Sequence, residues 1–293
     1  MTAYPPRYPE FKLLELDDRE LFASFLKKHP PESTELTFAN CFLWRKFDHT
    51  EYSLIHGNLC ILIKPPNEPA YFLPPIGEAK MAETIAICLR DAPRLSRVPE
   101  WFVKKYCAGL KAEFDRDHCD YVYLASDLRE LKGKKYDGKR NRIKKFTRHH
   151  AHQYLKLEPQ HLKECANLAE RWIREKGFKD WAAHAQREAL TEALSNFAAL
   201  ELKGGTITIE GHLVAFSLGE RLNAETAVVY FELADPKYEG LPQLMNQEFT
   251  KNEWSNFKFI NREQDLGILG LRTAKLSYHP HHLVNKYNVH RIS

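Results

Sequence analysis

Residues 204–222 read GGTITIEGHLVAFSLGERL, in which β-branched and apolar residues stand on both sides of Glu210-Gly211-His212. A glycine between two such runs supplies the backbone freedom of a tight reversal, so the stretch is predicted to be a β-hairpin. A second hairpin stands far upstream, where SLIHGNLCILI at 53–63 turns at His56-Gly57-Asn58. Similar elements surround both. Helical patterns precede the first in LDDRELFASFLKKHPP (16–31) and TFANCFLWRKF (37–47), and the second in QHLKECANLAERWIREKG (160–177) and HAQREALTEALSNFAAL (184–200). A strand follows each hairpin, in AYFLPPIG (70–77) and ETAVVYFELADP (225–236), and then a helix, in AKMAETIAICLRDAP (79–93) and LPQLMNQEFTKNEW (241–254). PEWFVKKYCAGL (99–110) reads as a further helix, and CDYVYLASDL (119–128), QYLKLEP (153–159) and FKFINREQDLG (257–267) as strands, the last running into a loop. Strands interspersed with helices predict an α/β or α+β fold, mixed sheets flanked by helices. The repeated order predicts a duplicated unit, with a first domain over 1–131, a basic connecting segment over 132–150 and a second domain over 151–293.

Composition narrows the function classes. With 293 residues, 43% hydrophobic and 28% charged, the chain has the balance of a globular protein with one or two cores. No apolar run approaches the roughly 20 residues that cross a bilayer, and MTAYPPRYPEF at the amino end lacks the charged and apolar regions of a signal peptide. A cytoplasmic location is the expectation. Cys41, Cys60, Cys88, Cys107, Cys119 and Cys165 form no C-x-x-C pair and several lie in apolar runs, as reduced core thiols do. The histidines of HHAH (149–152) and HPHH (279–282) lack the spacing and supporting ligands of a zinc site, so no metal is expected. No serine nucleophile elbow or P-loop is present.

The basic segment KGKKYDGKRNRIKKFTRHH (132–150) carries nine Lys or Arg against one Asp, while the whole chain has a net charge of only +4. The basic character is therefore local. A helix over 136–148 would place Tyr136, Ile143 and Phe146 on one docking face. Lys139, Arg142, Lys144, Lys145 and Arg148 would then project outward, with Arg140 near the boundary. Such a surface suits either a solvated linker or a phosphate-bearing partner held by charge-assisted hydrogen bonds. Few aromatics are interleaved, which favours charge-based binding over base readout.

Two more stretches carry chemistry. ELADPKYEGLPQLMNQEF (232–249) brings a strand end, a loop with Gly240 and a helix start into succession, and the N–H groups of a helix start bind phosphate. It resembles the pyrophosphate loop of the acyl-CoA-dependent N-acetyltransferases, with Lys237 and Gly240 in place but Pro242 at a position where a backbone donor is needed. FINREQDLGILGLRTAKLSYHPHHLVNKY (259–287) packs Asn261, Arg262, Glu263, Gln264 and Asp265 ahead of Gly267 and Gly270, then Arg272, Lys275, Ser277 and Tyr278. Polar residues this dense around loop glycines suit a binding or catalytic loop, and equally a salt-bridged surface loop.

YLASDLRELKGKKYDGKRNRIKKF (123–146), FINREQDLGILGLRTAKLSYHP (259–280), LTFANCFLWR (36–45) and FLPPIG (72–77) resemble segments of the family related to the carboxy-terminal catalytic domain of phosphatidylglycerol lysyltransferase. The resemblance spans nearly the whole chain and implies two tandem N-acetyltransferase-like domains, the acyl-CoA N-acyltransferase fold. It implies an aminoacyl or acyl transferase with no bound cofactor, taking aminoacyl-tRNA as donor to an amine or hydroxyl. It also implies a donor channel at the second domain's strand-to-helix crossing, near Glu232, Lys237 and Gly240. Two other readings stand beside it: an acyl-CoA-dependent N-acyltransferase, and a non-catalytic RNA- or nucleotide-binding protein that keeps the fold. Acyl transfer needs a neutral nucleophile, a stabilised carbonyl oxygen and an aligned pair. Glu232 or Asp265 is a candidate base, and Tyr278 a candidate proton donor to the leaving group. Arg272 and Lys275 join the basic segment as candidate phosphate ligands.

Overall fold

The computed structural model describes residues 4–176 and 181–292. From the amino end its elements run β1 (Lys12–Leu13), α1 (Arg19–Lys28), α2 (Phe38–Asp48), β2 (Glu51–Ile55), β3 (Asn58–Ile63), β4 (Tyr71–Phe72), α3 (Met81–Asp91), β5 (Leu95–Pro99), α4 (Glu100–Tyr106) and β6 (Lys111–Phe114). They continue with β7 (Asp120–Leu124), α5 (Ala125–Glu130), α6 (Asp137–His149), β8 (His152–Lys156), α7 (Leu162–Lys176), α8 (Trp181–Ser195), β9 (Lys203–Ile209), β10 (His212–Arg221) and β11 (Thr226–Ala234). The last are α9 (Leu241–Glu253), β12 (Phe259–Asn261), α10 (Leu269–Leu276), β13 (His282–Val284) and β14 (Lys286–His290).

The chain divides into two compact units. The first holds Met1–Asp120, Gln264–Ile268 and Leu283–Ser293, and the second Tyr121–Glu263 and Leu269–His282. This division places the basic segment inside the second unit, as α6, where the sequence reading gave it a connecting role. It also returns the carboxy-terminal strand to the first unit.

In the first unit the sheet order is β1-β2-β3-β4-β5-β14-β6. β4 and β5 are parallel and the other neighbours antiparallel. Both hairpins predicted from glycine are present with two-residue turns: Ile55 pairs with Asn58 across His56-Gly57, and Ile209 with His212 across Glu210-Gly211. All four turn residues have positive φ, as the turn that matches strand twist requires. α2 begins where the Thr37 hydroxyl accepts from the Asn40 N–H at 3.0 Å. Cys60, Cys88 and Cys107 lie in the apolar core with Phe72, Ile85, Leu95, Phe102 and Val289.

Charge is also buried in this unit. Lys286 on β14 is fully buried and its ammonium donates to Glu35 at 2.6 and 2.7 Å and to Asp120 at 2.6 Å. Asp120 in turn accepts the Thr34 N–H at 3.1 Å.

The second unit's sheet runs β7-β12-β11-β10-β9-β8, with β13 at the edge beside β7. α6 and the turn just before it have the predicted docking stripe: Tyr136 and Phe146 are buried and Ile143 half-buried. Three sequence expectations change. CDYVYLASDL ends its strand at Leu124 and turns into α5, and FKFINREQDLG is a strand only over Phe259–Asn261. The region read as a glycine loop contains α10, so only Gly267, at φ 72°, is a turn glycine, and Gly270 lies inside the helix.

Candidate functional site

Within the second unit, β11 and β12 are parallel and pair only from Thr226–Phe259 to Val228–Asn261. Beyond that point β11 continues to Ala234 with β10 as its partner, and β12 ends. The register of β10 and β11 slips between Leu218 and Gly219, so Tyr230 is an extra residue that bends β11 away. A gap therefore opens at the carboxyl ends of two parallel strands, the place where open α/β sheets bind ligands.

Glu232 and Arg262 face each other across this gap. Arg262 Nη2 lies 3.3 Å from Glu232 Oε1, and Asn246 Nδ2, on α9, donates to Glu232 Oε2 at 3.1 Å. Both carboxylate oxygens are thus engaged. The Arg262 guanidinium lies 4.9 Å from the Tyr278 ring centre and 5.8 Å from that of Tyr123. Its backbone is fixed too, since its N–H donates to Tyr121 O at 2.9 Å and its carbonyl accepts from Lys275 Nζ. Besides Glu232 the Arg262 guanidinium engages the Tyr278 hydroxyl, yet two buried polar atoms of the cluster, Arg262 Nη1 and Asn246 Oδ1, meet no hydrogen-bond geometry within the described residues. Buried donors and acceptors are normally satisfied, so two orphaned atoms beside one carboxylate make this strand end a candidate ligand position.

α6 supplies more positive charge. Lys139 Nζ donates to Ser277 Oγ at 2.6 Å and lies 4.0 Å from the Tyr278 ring centre. Burial lowers its pKa to about 8, and the charges of Arg142 and Arg262 add to the effect. Tyr278 is buried, and burial raises its hydroxyl above the usual tyrosine value against the pull of Arg262. The chain here is held by Tyr136, whose hydroxyl donates to Tyr278 O at 3.0 Å. Arg142 and Arg262 thus both act electrostatically on Lys139, and Arg262 pairs with Glu232.

The other predicted residues have different surroundings. Arg140 donates to the carbonyls of Leu131 and Gly133 and pairs with Asp137, which fastens the loop entering α6. Lys145 pairs with Glu239 at 2.5 Å, and Lys144 and Lys237 are exposed. Lys275 holds the carbonyls of Arg262 and Glu263, which makes it a brace for the end of β12. Arg272 is half-buried on α10. Asn261 is buried and its Oδ1 accepts the Glu263 N–H at 2.8 Å, with Glu263 at φ 54°. Asp265 belongs to the first unit, fully buried, 3.1 Å from Arg116 Nη1 and accepting the Gly267 N–H at 2.9 Å.

At the start of α9, Gly240 has φ 92°, and a Cβ on it would run into the Arg142 carbonyl. The α6 backbone therefore occupies that flank of the helix start. Asn246 and Ser217 were not singled out from sequence. Asn246 had a legible signal, a polar residue among Leu244, Met245 and Phe249 on the buried face of α9. Ser217, buried and paired in register with Glu232, had none. Among the described residues no group of three or more His, Cys, Asp or Glu is placed to hold a metal, and no helix is long and apolar enough to cross a membrane.

The chain belongs to the family of the C-terminal domain of phosphatidylglycerol lysyltransferase, whose profile matches residues 27–290. A conserved protein from Bacteroides thetaiotaomicron is 31% identical, with a TM-score of 0.88, over 96% of this chain and 99% of that one. The structure of L-PGS from Bacillus licheniformis is 17% identical, with a TM-score of 0.67, over 96% of this chain and 94% of that one. FemX is 10% identical, with a TM-score of 0.58, over 95% of this chain and 96% of that one. The fold is that of tandem N-acetyltransferase-like domains, and the family is of the aminoacyl-transferase-like class.

Proposed function

We propose that this protein is an aminoacyl or acyl transferase whose donor places a phosphate against Lys139, Arg142 and Arg262, with aminoacyl-tRNA as the donor the site suits best. The observation that carries the reading is Arg262 Nη1, buried without a hydrogen bond beside Glu232, with Lys139 close enough to feel the charges of both Arg262 and Arg142. Partly buried positive charge of this kind is stabilised when an anion completes it.

In this reading the acceptor's amine or hydroxyl attacks the donor's ester carbonyl. The nucleophile's proton passes to Glu232, a cation of the cluster faces the developing oxyanion, and Tyr278 gives its phenolic proton to the departing 3′-alkoxide and is reprotonated through solvent as Glu232 releases its own. A tyrosine whose pKa is raised remains protonated at neutral pH, as that role requires. Asp265, committed to Arg116 and the Gly267 N–H, serves to hold its own loop. The acyl-CoA reading is less favoured, because a pyrophosphate grip at α9 would meet Pro242 and the α6 backbone beside Gly240.

The test is binding of labelled aminoacyl-tRNA across a salt series, followed by single-turnover transfer to hydroxylamine as a model nucleophile. Lys139→Gln and Arg142→Gln should each lower the salt-dependence slope by about one unit. Glu232→Gln should bind normally and transfer slowly. Absence of binding at low salt refutes the tRNA donor, and binding without transfer by the native chain supports a non-catalytic RNA-binding protein.

A further inference from the structure

Arg97 of the first unit is held in place but only loosely paired. It lies in β5 at a left-handed φ of 60°, which a residue with a side chain adopts only where its surroundings impose it. Its guanidinium comes to 3.8 Å from both Glu35 and Asp115, but each carboxylate has closer partners. Glu35 accepts from Lys286 at 2.6 and 2.7 Å. Asp115 accepts from Asn288 Nδ2 at 3.0 Å and lies 2.9 Å from His118 Nδ1. Among the described residues the hydrogen bond that Arg97 does make runs from Nη1 to Ser96 Oγ at 3.3 Å, which leaves Nε and Nη2 without one.

Tyr71 and Asp48 share this condition. The Tyr71 ring centre is 5.0 Å from the Arg94 guanidinium and 5.5 Å from that of Arg97, and the residue is 5% exposed. A phenol buried to this degree normally finds a hydrogen-bond partner, yet the Tyr71 hydroxyl has none among the described residues. Asp48, half-buried at the end of α2, carries a carboxyl without a hydrogen bond as well. Burial pushes that carboxyl up to about 7 against the pull of Arg97, with Glu68 adding to the rise. The charges of Arg97, Asp48, Glu68 and Glu35 all act on the Tyr71 hydroxyl, which gathers these groups around one place. Glu68 itself is paired with Arg94. The unmet groups are therefore a guanidinium and a phenol that donate, and a carboxyl that takes a cation. A lone carboxylate or phosphate on Arg97 would also face Glu35 and Asp115, and a lone ammonium on Asp48 would face Arg97. A group that carries both charges a few bonds apart is favoured over either.

We propose that Arg97, Tyr71 and Asp48 form a site in the first unit for the zwitterionic head of an α-amino acid, its carboxylate on Arg97 and the Tyr71 hydroxyl and its ammonium on Asp48. The site stands apart from the donor reading, and its test uses neither tRNA nor turnover. The native chain is titrated by saturation-transfer NMR with L-alanine, with propionate, which lacks the ammonium, and with ethylamine, which lacks the carboxylate. Expected is binding of L-alanine, with each half-molecule weaker by about tenfold or more. Asp48→Asn and Arg97→Gln should each lose about tenfold in affinity, and Tyr71→Phe about threefold. Asp48→Asn also has a readout that a structural role would not give. The folded pKa of this carboxyl lies above its unfolded value, so its charge costs stability at pH 8, and the variant should melt at a higher temperature while losing the ligand. Should Arg97→Gln fail to fold, the other two variants carry the test. Absence of L-alanine binding by the native chain overturns the proposal, as does undiminished binding by Asp48→Asn. Propionate that binds as tightly as L-alanine overturns it too, and would make Arg97 a simple anion site.

Discussion

Lys139 is the residue at which the electrostatics of the second unit can be read most directly. Its pKa falls from 10.5 to about 8 because burial and two arginines disfavour its charge. The sign of the linkage follows. Between the folded value and the ordinary lysine value the unfolded chain binds more protons, so this residue's contribution to stability increases as pH rises through that window. A bound phosphate reverses the imbalance by favouring the ammonium. Donor binding near pH 8.5 should therefore take up a proton, and affinity should fall as pH rises above about 8. Isothermal titration in two buffers of different ionisation heat measures the uptake. Lys139→Arg, which stays charged, should abolish it and flatten the affinity profile between pH 7 and 9.

At the scale of elements, glycine at position 240 lets α6 and α9 pack. Gly240→Ala meets the Arg142 carbonyl and forces a side chain into φ 92°, so α6 must shift from the start of α9. Left-handed strain of about 1–2 kcal/mol and overpacking of about 1–3 kcal/mol predict a combined loss of about 3 kcal/mol, read from the urea midpoint of the second unit. Gly211→Ala has open space around it and should lose only the conformational part, about 1 kcal/mol. The sequence disclosed elements whose patterns are local. Tyr136 and Phe146 recur at helical spacing, and Gly57 and Gly211 mark their turns without ambiguity. β5, β6 and β14 were not legible, because each is four or five residues long and mixes charged residues with apolar ones. α10 was hidden by its own glycine and by its length of 8 residues, just over two turns.

For the whole molecule, what the sequence withheld is which distant charges meet. Glu232 and Arg262 were both marked, but their pairing depends on a strand crossover through α9, and Lys286, which meets Glu35 across 251 positions, carries no local signal at all. That buried lysine joins the end of the chain to its beginning. β14 is the sole neighbour of β6 in the sheet order, and Lys286 on β14 neutralises two carboxylates from segments that precede it by most of the chain. Lys286→Met keeps the apolar stem and removes the charge, leaving Glu35 and Asp120 without their ammonium. Breaking a buried pair in this way should lower stability by about 3–5 kcal/mol, seen as an earlier unfolding transition of the first unit in urea. The pH dependence separates this cause from simple repacking. Carboxylates stranded in the core have folded pKa values raised above their unfolded ones, so the variant is relatively favoured in acid and loses stability as pH rises through the raised values. The deficit of Lys286→Met against the native chain should therefore be smaller at pH 4.5 than at pH 7.5. An equal deficit at both would mean that the lysine's contribution is packing and that its charge is incidental.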